Sequence, residues 1–366
     1  MASIIIVANG AAEESVNQSI SLARSMDESG TSNEIILVSE KPLSGFEAGR
    51  NFVATQDKPM SAALNIAAAC AKSEKLLFMD ANAIMSQAKM RKFMDMLDDR
   101  RQNGILVVPM KVGGKSMEMA PFTIDAIVRA VTHHMIWPGM MIGVSTDFIR
   151  QIQGLQGNSM KESMARMIVA AISEGLQVSD FESQAELRSG ASEKELIALS
   201  NDETARTLES AVSMCNIEDL FPNFAWAEFQ EESAAAAFHT LAALFVKYGA
   251  NQAAMDCLSM GDRFEDSPRS LAIKGLIAMH QGEMLGAVAN MVSSLKQYEI
   301  RKAKNGHYLS FTPSNIEAMN TSLHAGLSAL NKQDNPAALE HFASAVFQFD
   351  KFYHDCGIDS VKAPIH

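Results

Sequence analysis

Thiol chemistry has little support in this sequence. Four cysteines, Cys70, Cys215, Cys257 and Cys356, are scattered over 366 residues. With no CxxC pair and no His/Cys cluster, they exclude a structural zinc site of the usual spacing and point to a reducing compartment. Positive charge is also short: 31 Lys and Arg stand against 43 Asp and Glu, a formal net charge of −12. No general affinity for nucleic acid is therefore expected. The longest apolar stretch, Ala234 to Val246, contains His239 and falls short of the roughly 20 residues that a membrane span requires, so no transmembrane segment is expected. The first residues form a short apolar run with no basic residue ahead of it and acids soon after, which fits a first strand and not a signal peptide. The expected location is cytoplasmic. Walker, GxGxxG, GxSxG, HExxH and EF-hand patterns are all missing.

What remains is the composition of a folded protein, 47% hydrophobic and 20% charged, long enough for two cores. Its 24 methionines are spread through both halves and read as adaptable core filling. Up to about residue 182, short apolar runs alternate with helical patterns. Ser3 to Ala8, Glu34 to Val38, Lys75 to Met79 and Gly104 to Pro109 read as strands. Glu14 to Met26, Ser61 to Ala71 and Ala88 to Arg100 read as helices. Such alternation predicts an α/β domain with a mostly parallel sheet and helices on both faces. Ligands of such sheets sit beyond the carboxyl ends of the strands. Asp80 falls at one of those ends.

After about residue 200 the strand signal stops. Ala254 follows Ala242 by twelve residues, Ala287 follows Gly275 by twelve, and Ala338 follows Gly326 by twelve. A large residue, Leu258, Met291 or Phe342, comes four positions later, and a small one, Gly261, Ser294 or Ala345, seven positions later. Small residues let the two helices of a hairpin approach, and the large one is expected to fill the gap between hairpins. The copies are offset by 33 and then 51 residues, the excess falling in a turn-rich basic insertion over 301–314. The spacing resembles the tetratricopeptide repeat, and the alternative is a plain helical bundle. The expected division is an α/β domain over 1–185, a helical connector over 186–230 and an all-α helical-repeat domain over 231–366.

In order, the N-terminal segments resemble the family 2 glycosyltransferase domain of the GT-A fold. Ser3 to Gly10 is similar to its opening strand and asparagine turn, and Glu34 to Glu40 to its second strand. Lys58 to Asn65 is similar to its small-residue and Asn helix motif, and Leu77 to Asn82 to its Asp-x-Asp strand. Met141 to Val178 is similar to its acceptor-side segment.

The resemblance implies a nucleotide-sugar donor, a uridine diphosphate sugar, whose sugar passes with inversion to an acceptor hydroxyl. It implies Asn9, Glu40, Asn65 and Asp80 on the donor side, and Asp80 with Asn82 at a divalent metal, Mn or Mg. It implies a general base near the start of the domain's last helix, where Glu162 stands. His134, with His133 beside it, would line the acceptor or diphosphate site. The helical repeats would hold a protein partner or the acceptor.

Several positions depart from the family pattern. Asn82 replaces the last acid of the metal motif and removes a full negative charge. Leu64 stands where the family often has arginine, and Ser39 where an acid is expected. Asp80 also reads as a turn residue or helix cap, Glu40 as a solvated loop acid, Asn65 as a helix cap, Glu162 as part of an amphipathic face, and the paired histidines as structural or exposed. Two further readings follow: a non-catalytic scaffold on a degenerate transferase fold, and an unrelated α/β nucleotide-binding domain.

Overall fold

The structure, a computed structural model, describes residues 2–8, 10–26, 33–98, 104–112, 115–116, 141–187, 199–221, 230–264, 267–303 and 313–347. It divides into two compact units, Met1–Met214 and Cys215–His366.

The first unit is built on a seven-stranded, mostly parallel mixed sheet. β1 (Ser3–Val7) is buried along its whole length, as an uninterrupted β-branched run requires when both faces are covered. It pairs in parallel with β2 (Glu34–Ser39) on one side and β4 (Lys75–Asp80) on the other. β3 (Phe52–Ala54) extends the sheet beyond β2. On the β4 side, β9 (Met141–Ser145) runs antiparallel between β4 and β6 (Ile105–Val107), and β10 (Val178–Asp180) closes the edge. The order β10-β6-β9-β4-β1-β2-β3 is consistent with the expected GT-A-like α/β domain. The chain moves outward from β1 to β3 and then returns to place β4 on β1's other side. The direction of winding therefore reverses between β1 and β4, which is where such sheets open a crevice at their carboxyl ends.

The helices follow the expected apolar periods. α1 (Glu13–Arg24) buries Val16, Ser19, Ile20 and Ala23, one face of a 3.6-residue repeat, with acids in its first turn and Arg24 in its last. α2 (Met60–Cys70) buries Met60, Ala63, Leu64 and Ala67. α3 (Gln87–Asp98) buries Met90, Phe93 and Leu97, and Phe93 meets Phe181 edge-on at 5.3 Å. A Cβ on Gly143 of β9 would lie 2.7 Å from the Leu97 side chain, so glycine there lets α3 lie close on the sheet. α4 (Thr146–Gln151) and α5 (Met160–Ser173) follow β9.

Two features lie outside the sequence expectations. A second sheet of four short strands, β5 (Ala83–Ile84), β11 (Ala185–Leu187), β7 (Met110–Val112) and β8 (Lys115–Ser116), begins just after Asp80. The helix α6 (Asn201–Met214), within the stretch read as a connector, packs on α5 in the first unit.

Among the described residues the second unit is helical. After the single turn α7 (Ile217–Leu220) come three hairpins: α8 (Gln230–Lys247) with α9 (Asn251–Gly261), α10 (Pro268–His280) with α11 (Met284–Ala303), and α12 (Pro313–Asn331) with α13 (Asn335–Phe347). Each turns the same way. Gly249, Gly282 and Gln333 have φ of 76°, 78° and 60°. The next residue's N–H reaches back five positions, Ala250 to Phe245 at 2.9 Å, Glu283 to Ala278 at 2.8 Å and Asp334 to Ala329 at 3.0 Å. This is the Schellman closure, repeated at the sequence spacing.

The repeat positions pack, but not as expected. Gly275 faces Met291 and Gly326 faces Phe342 across their own hairpins, where an added Cβ would lie 2.8 and 2.4 Å from those side chains. The large residue thus fills the space inside a hairpin, opposite a missing side chain, and not the gap between hairpins. Stacking also departs from a uniform repeat: α8 lies on α10, whereas α10 is met by α13, the second helix of the third hairpin. Asp262, just past α9, takes hydrogen bonds from Lys274 at 2.6 Å and lies 3.2 Å from His239 Nε2. Burial would raise its carboxyl, but the bonds to His239 and Lys274 hold it at about 2.

Gly326→Ala tests the hairpin packing. Overpacking against the rigid Phe342 ring costs about 1–3 kcal/mol, more than the helix propensity that alanine gains. The thermal midpoint should fall. In a Phe342→Leu background the same change should be neutral or stabilising.

Candidate functional site

The crevice is set by one register. Val7, the last residue of β1, lies directly beside Asp80, the last residue of β4. Three hydrogen bonds fix the turn that follows. The Ala81 N–H donates to the Val7 carbonyl at 2.9 Å, the buried Ser19 hydroxyl of α1 donates to the Ala81 carbonyl at 3.0 Å, and the Asn82 N–H donates to Asp80 Oδ1 at 2.8 Å. The Asp80 carboxyl is therefore held at the mouth of the crevice with one oxygen engaged. Burial pushes its pKa up, and the hydrogen bonds from Asn82 and the charge of Lys161 in the first turn of α5 act against that.

Beside it, at the ends of β2 and β3, lies a pocket of about 350 Å³. Glu40 and Asp57 line it, as do Lys41, Thr55, Lys58 and Asn158. Its walls are tied together: the Thr55 N–H donates to the Ser39 carbonyl at 3.0 Å and the Ser39 hydroxyl to the Lys41 carbonyl at 2.5 Å. The two lysines were not among the residues singled out from the sequence. Each is adjacent to a quoted motif, Lys41 after Glu40 and Lys58 at the head of the helix segment, and only the fold shows that both line one pocket.

The N-terminal turn of α5 lies near both pocket and strand end. Asn158 lines the pocket, and Lys161 lies within electrostatic reach of Asp80. This turn is held by Glu162. Its side chain is fully buried and all four of its lone-pair positions are engaged. Oε1 accepts from Arg206 Nε of α6 at 2.7 Å and from Arg166 at 3.4 Å. Oε2 accepts from Arg206 Nη2 at 3.1 Å and from the Asn158 N–H at 2.8 Å. Its own N–H is capped by the Ser159 hydroxyl at 3.1 Å. Burial alone would raise the Glu162 pKa, but Arg206 and the Asn158 amide outweigh it and lower it. A depressed carboxylate with no spare lone pair is a poor acceptor for a hydroxyl proton, which is at odds with the expectation of a general base.

Asn65 is likewise committed. Its Oδ1 accepts from the Leu155 N–H at 2.7 Å and its Nδ2 donates to the Leu155 carbonyl at 2.9 Å. Both ends of the amide thus pin the loop that leads into α5, an arrangement at odds with a donor-side role. That loop turns on Gly154 and Gly157, with φ of 93° and 132°. A Cβ on Gly154 would lie 3.0 Å from the Asn65 amide. Leu64, where the family often has arginine, is fully buried against the core. Asn9 and His134 lie outside the described residues.

The residues at the strand end are a poor fit to a divalent cation. A hard cation takes six or more oxygens, commonly with one or two carboxylates. Asp80 offers one carboxylate with an oxygen already engaged, Asn82 offers only a neutral amide, and Lys161 adds a positive charge nearby. Among the described residues no group of three His, Cys, Asp or Glu is arranged to hold a metal. No helix among them is long and apolar enough to cross a membrane.

No protein-family model matches the chain, and no curated protein does so significantly. Several solved glycosyltransferase structures have similar folds. S. aureus TarS 1-349 in complex with UDP-GlcNAc is 13% identical, with 94% of this chain and 90% of that chain covered and a TM-score of 0.47. The mannosyltransferase PcManGT from Pyrobaculum calidifontis, in complex with GDP-Man and Mn2+, is 12% identical, with coverages of 80% and 86% and a TM-score of 0.42. Glucosyl-3-phosphoglycerate synthase from Mycobacterium tuberculosis, in complex with Mn2+, UDP and glucosyl-3-phosphoglycerate, is 10% identical, with coverages of 59% and 80% and a TM-score of 0.41. Likeness of this degree carries no argument about what this chain does.

Glu162→Gln should destabilise the first unit, at or below the low end of the roughly 3–5 kcal/mol for breaking a buried pair, because both guanidiniums are partly solvated. The pH dependence has a definite sign. A depressed folded-state pKa gives stability that is complete above the ordinary glutamate value of 4.5 and is lost as pH falls through the lower folded value. Urea titrations of the first unit's transition from pH 7 to pH 3 should show a steeper loss in the parent protein than in the variant.

Proposed function

We propose that the first unit binds a nucleotide-sugar donor in the crevice between β1 and β4 and transfers its sugar to an acceptor hydroxyl. The observation that carries this reading is the juxtaposition of Asp80 with Val7 at the point where the winding of the sheet reverses, next to the pocket at the ends of β2 and β3. The pocket has the size and polarity for a nucleoside, with Glu40 at its wall. Asp80 then faces the ribose, from whose hydroxyl it can accept a hydrogen bond. In the transfer, the acceptor oxygen bonds to the anomeric carbon, the bond from that carbon to the diphosphate breaks, and the diphosphate leaves with the electron pair. The acceptor proton passes to a base. Glu162 was the residue expected as that base, and its engagement by the arginines speaks against it.

The helical hairpins, whose first two copies keep the tetratricopeptide-like spacing, are the element we assign to a protein partner or acceptor. Leu285 and Ile300 of α11, 90% and 54% exposed, are the side chains best suited to such a contact. Scattered cysteines suit the reducing cytoplasm. A second reading, a non-catalytic scaffold that senses a nucleotide sugar, is favoured by one specific observation: Glu162 and Asn65, both matched to functional positions, are spent on holding the α5 loop.

Calorimetric titration with uridine diphosphate sugars tests binding, and release of uridine diphosphate tests transfer. We expect saturable binding, weakened at least about tenfold by Asp80→Ala. Binding without turnover in the presence of acceptor extracts would select the scaffold reading. Absence of binding to any nucleotide sugar would overturn the transferase reading and leave a purely structural scaffold.

A further inference from the structure

The donor set at the end of β4 differs from what a metal-dependent diphosphate site requires, and the same place holds a cation of its own. A lysine in the first turn of a helix is electrostatically unfavourable, because the helix N-terminus is itself positive. Lys161 nevertheless occupies that turn, one residue before Glu162. The helix turn that carries it is held by the bonds that Glu162 makes to Arg206, Arg166 and the Asn158 amide. The turn lies near Asn158, at the wall of the pocket, and near Asp80, at the strand end. A ligand whose base fills the pocket and whose ribose meets Asp80 would carry its phosphates near this lysine.

We infer that the crevice takes the diphosphate of its ligand without a divalent cation, with the Lys161 ammonium as the balancing charge. The inference rests on the donor-binding reading above and deepens it. An ammonium is a compact point charge able to hold phosphate oxygens. It would neutralise part of the charge that collects on the departing diphosphate. Asn82, which could only weaken a metal site, is no handicap here: its N–H holds Asp80 in place, and its neutral amide adds no repulsion to an incoming anion.

The test is titration of the full chain with uridine diphosphate and with uridine, each in EDTA and in Mn2+, for the parent protein, Lys161→Gln and Lys161→Arg. We expect uridine diphosphate to bind equally well in EDTA and in Mn2+. Lys161→Gln should weaken it roughly tenfold without changing uridine affinity, and Lys161→Arg should restore most of the loss. Binding that requires Mn2+, or that is indifferent to Lys161→Gln, would overturn this inference and leave the donor-binding reading standing. No binding of uridine diphosphate under any condition would overturn both.

Discussion

The parallel pairing of β1 with β4 is the constraint on which the candidate site depends. Because Val7 and Asp80 are register partners, the carboxyl ends of two buried strands open side by side. The ladder continues one step past the strand end through the Ala81 N–H and the Val7 carbonyl. Ser19 then reaches from α1 to the carbonyl of the same residue. A buried carbonyl left without its donor would cost on the order of 1–3 kcal/mol. The turn that presents Asp80 is thus held from the sheet and from the helix above it, and its position follows from the core and not from a ligand.

A second set of contacts fixes the opposite wall. The loop before α5 has few apolar residues to bury, so polar fasteners hold it: Asn65 from α2 at Leu155, and Glu162 from α5 at Asn158. Arg206 ties this wall to α6. The Ser200 hydroxyl and the Glu203 carboxylate cap the start of that helix reciprocally. Asn65 and Glu162 therefore serve as parts of the frame. The charged groups along this carboxyl edge are Asp80 at the strand end, Lys161 in the first turn of α5, and Glu40, Lys41, Asp57 and Lys58 at the pocket.

Much of the frame was legible in the sequence because burial imposes a pattern. β1, β2, β4, α1, α2 and α3 lie within a residue or two of the expected ranges, each marked by an apolar run or a 3.6-residue stripe. The hairpin turns follow the 33- and 51-residue offsets, since each turn needs a left-handed residue at its helix end. The second sheet was not legible, because strands of two or three residues carry no periodic signal. Nor was the fate of Glu162 and Asn65. Each partner lies in a separate segment, Arg206 44 positions and Leu155 90 positions away, and a single sequence does not show which distant residues a carboxylate or amide will meet. The same limit hid the convergence of Lys41, Lys58 and Asn158 on one pocket.

Amide hydrogen exchange with and without uridine diphosphate is the most direct measurement of the central claim, that the crevice at the β1/β4 boundary is the ligand site. The account predicts added protection in three separate segments at once: the turn after Asp80, the stretch from Ser39 to Lys41, and the loop and first helical turn from Gly157 to Glu162. Protection confined to the helical unit, or absent from the Asp80 turn while the ligand is bound, would contradict it.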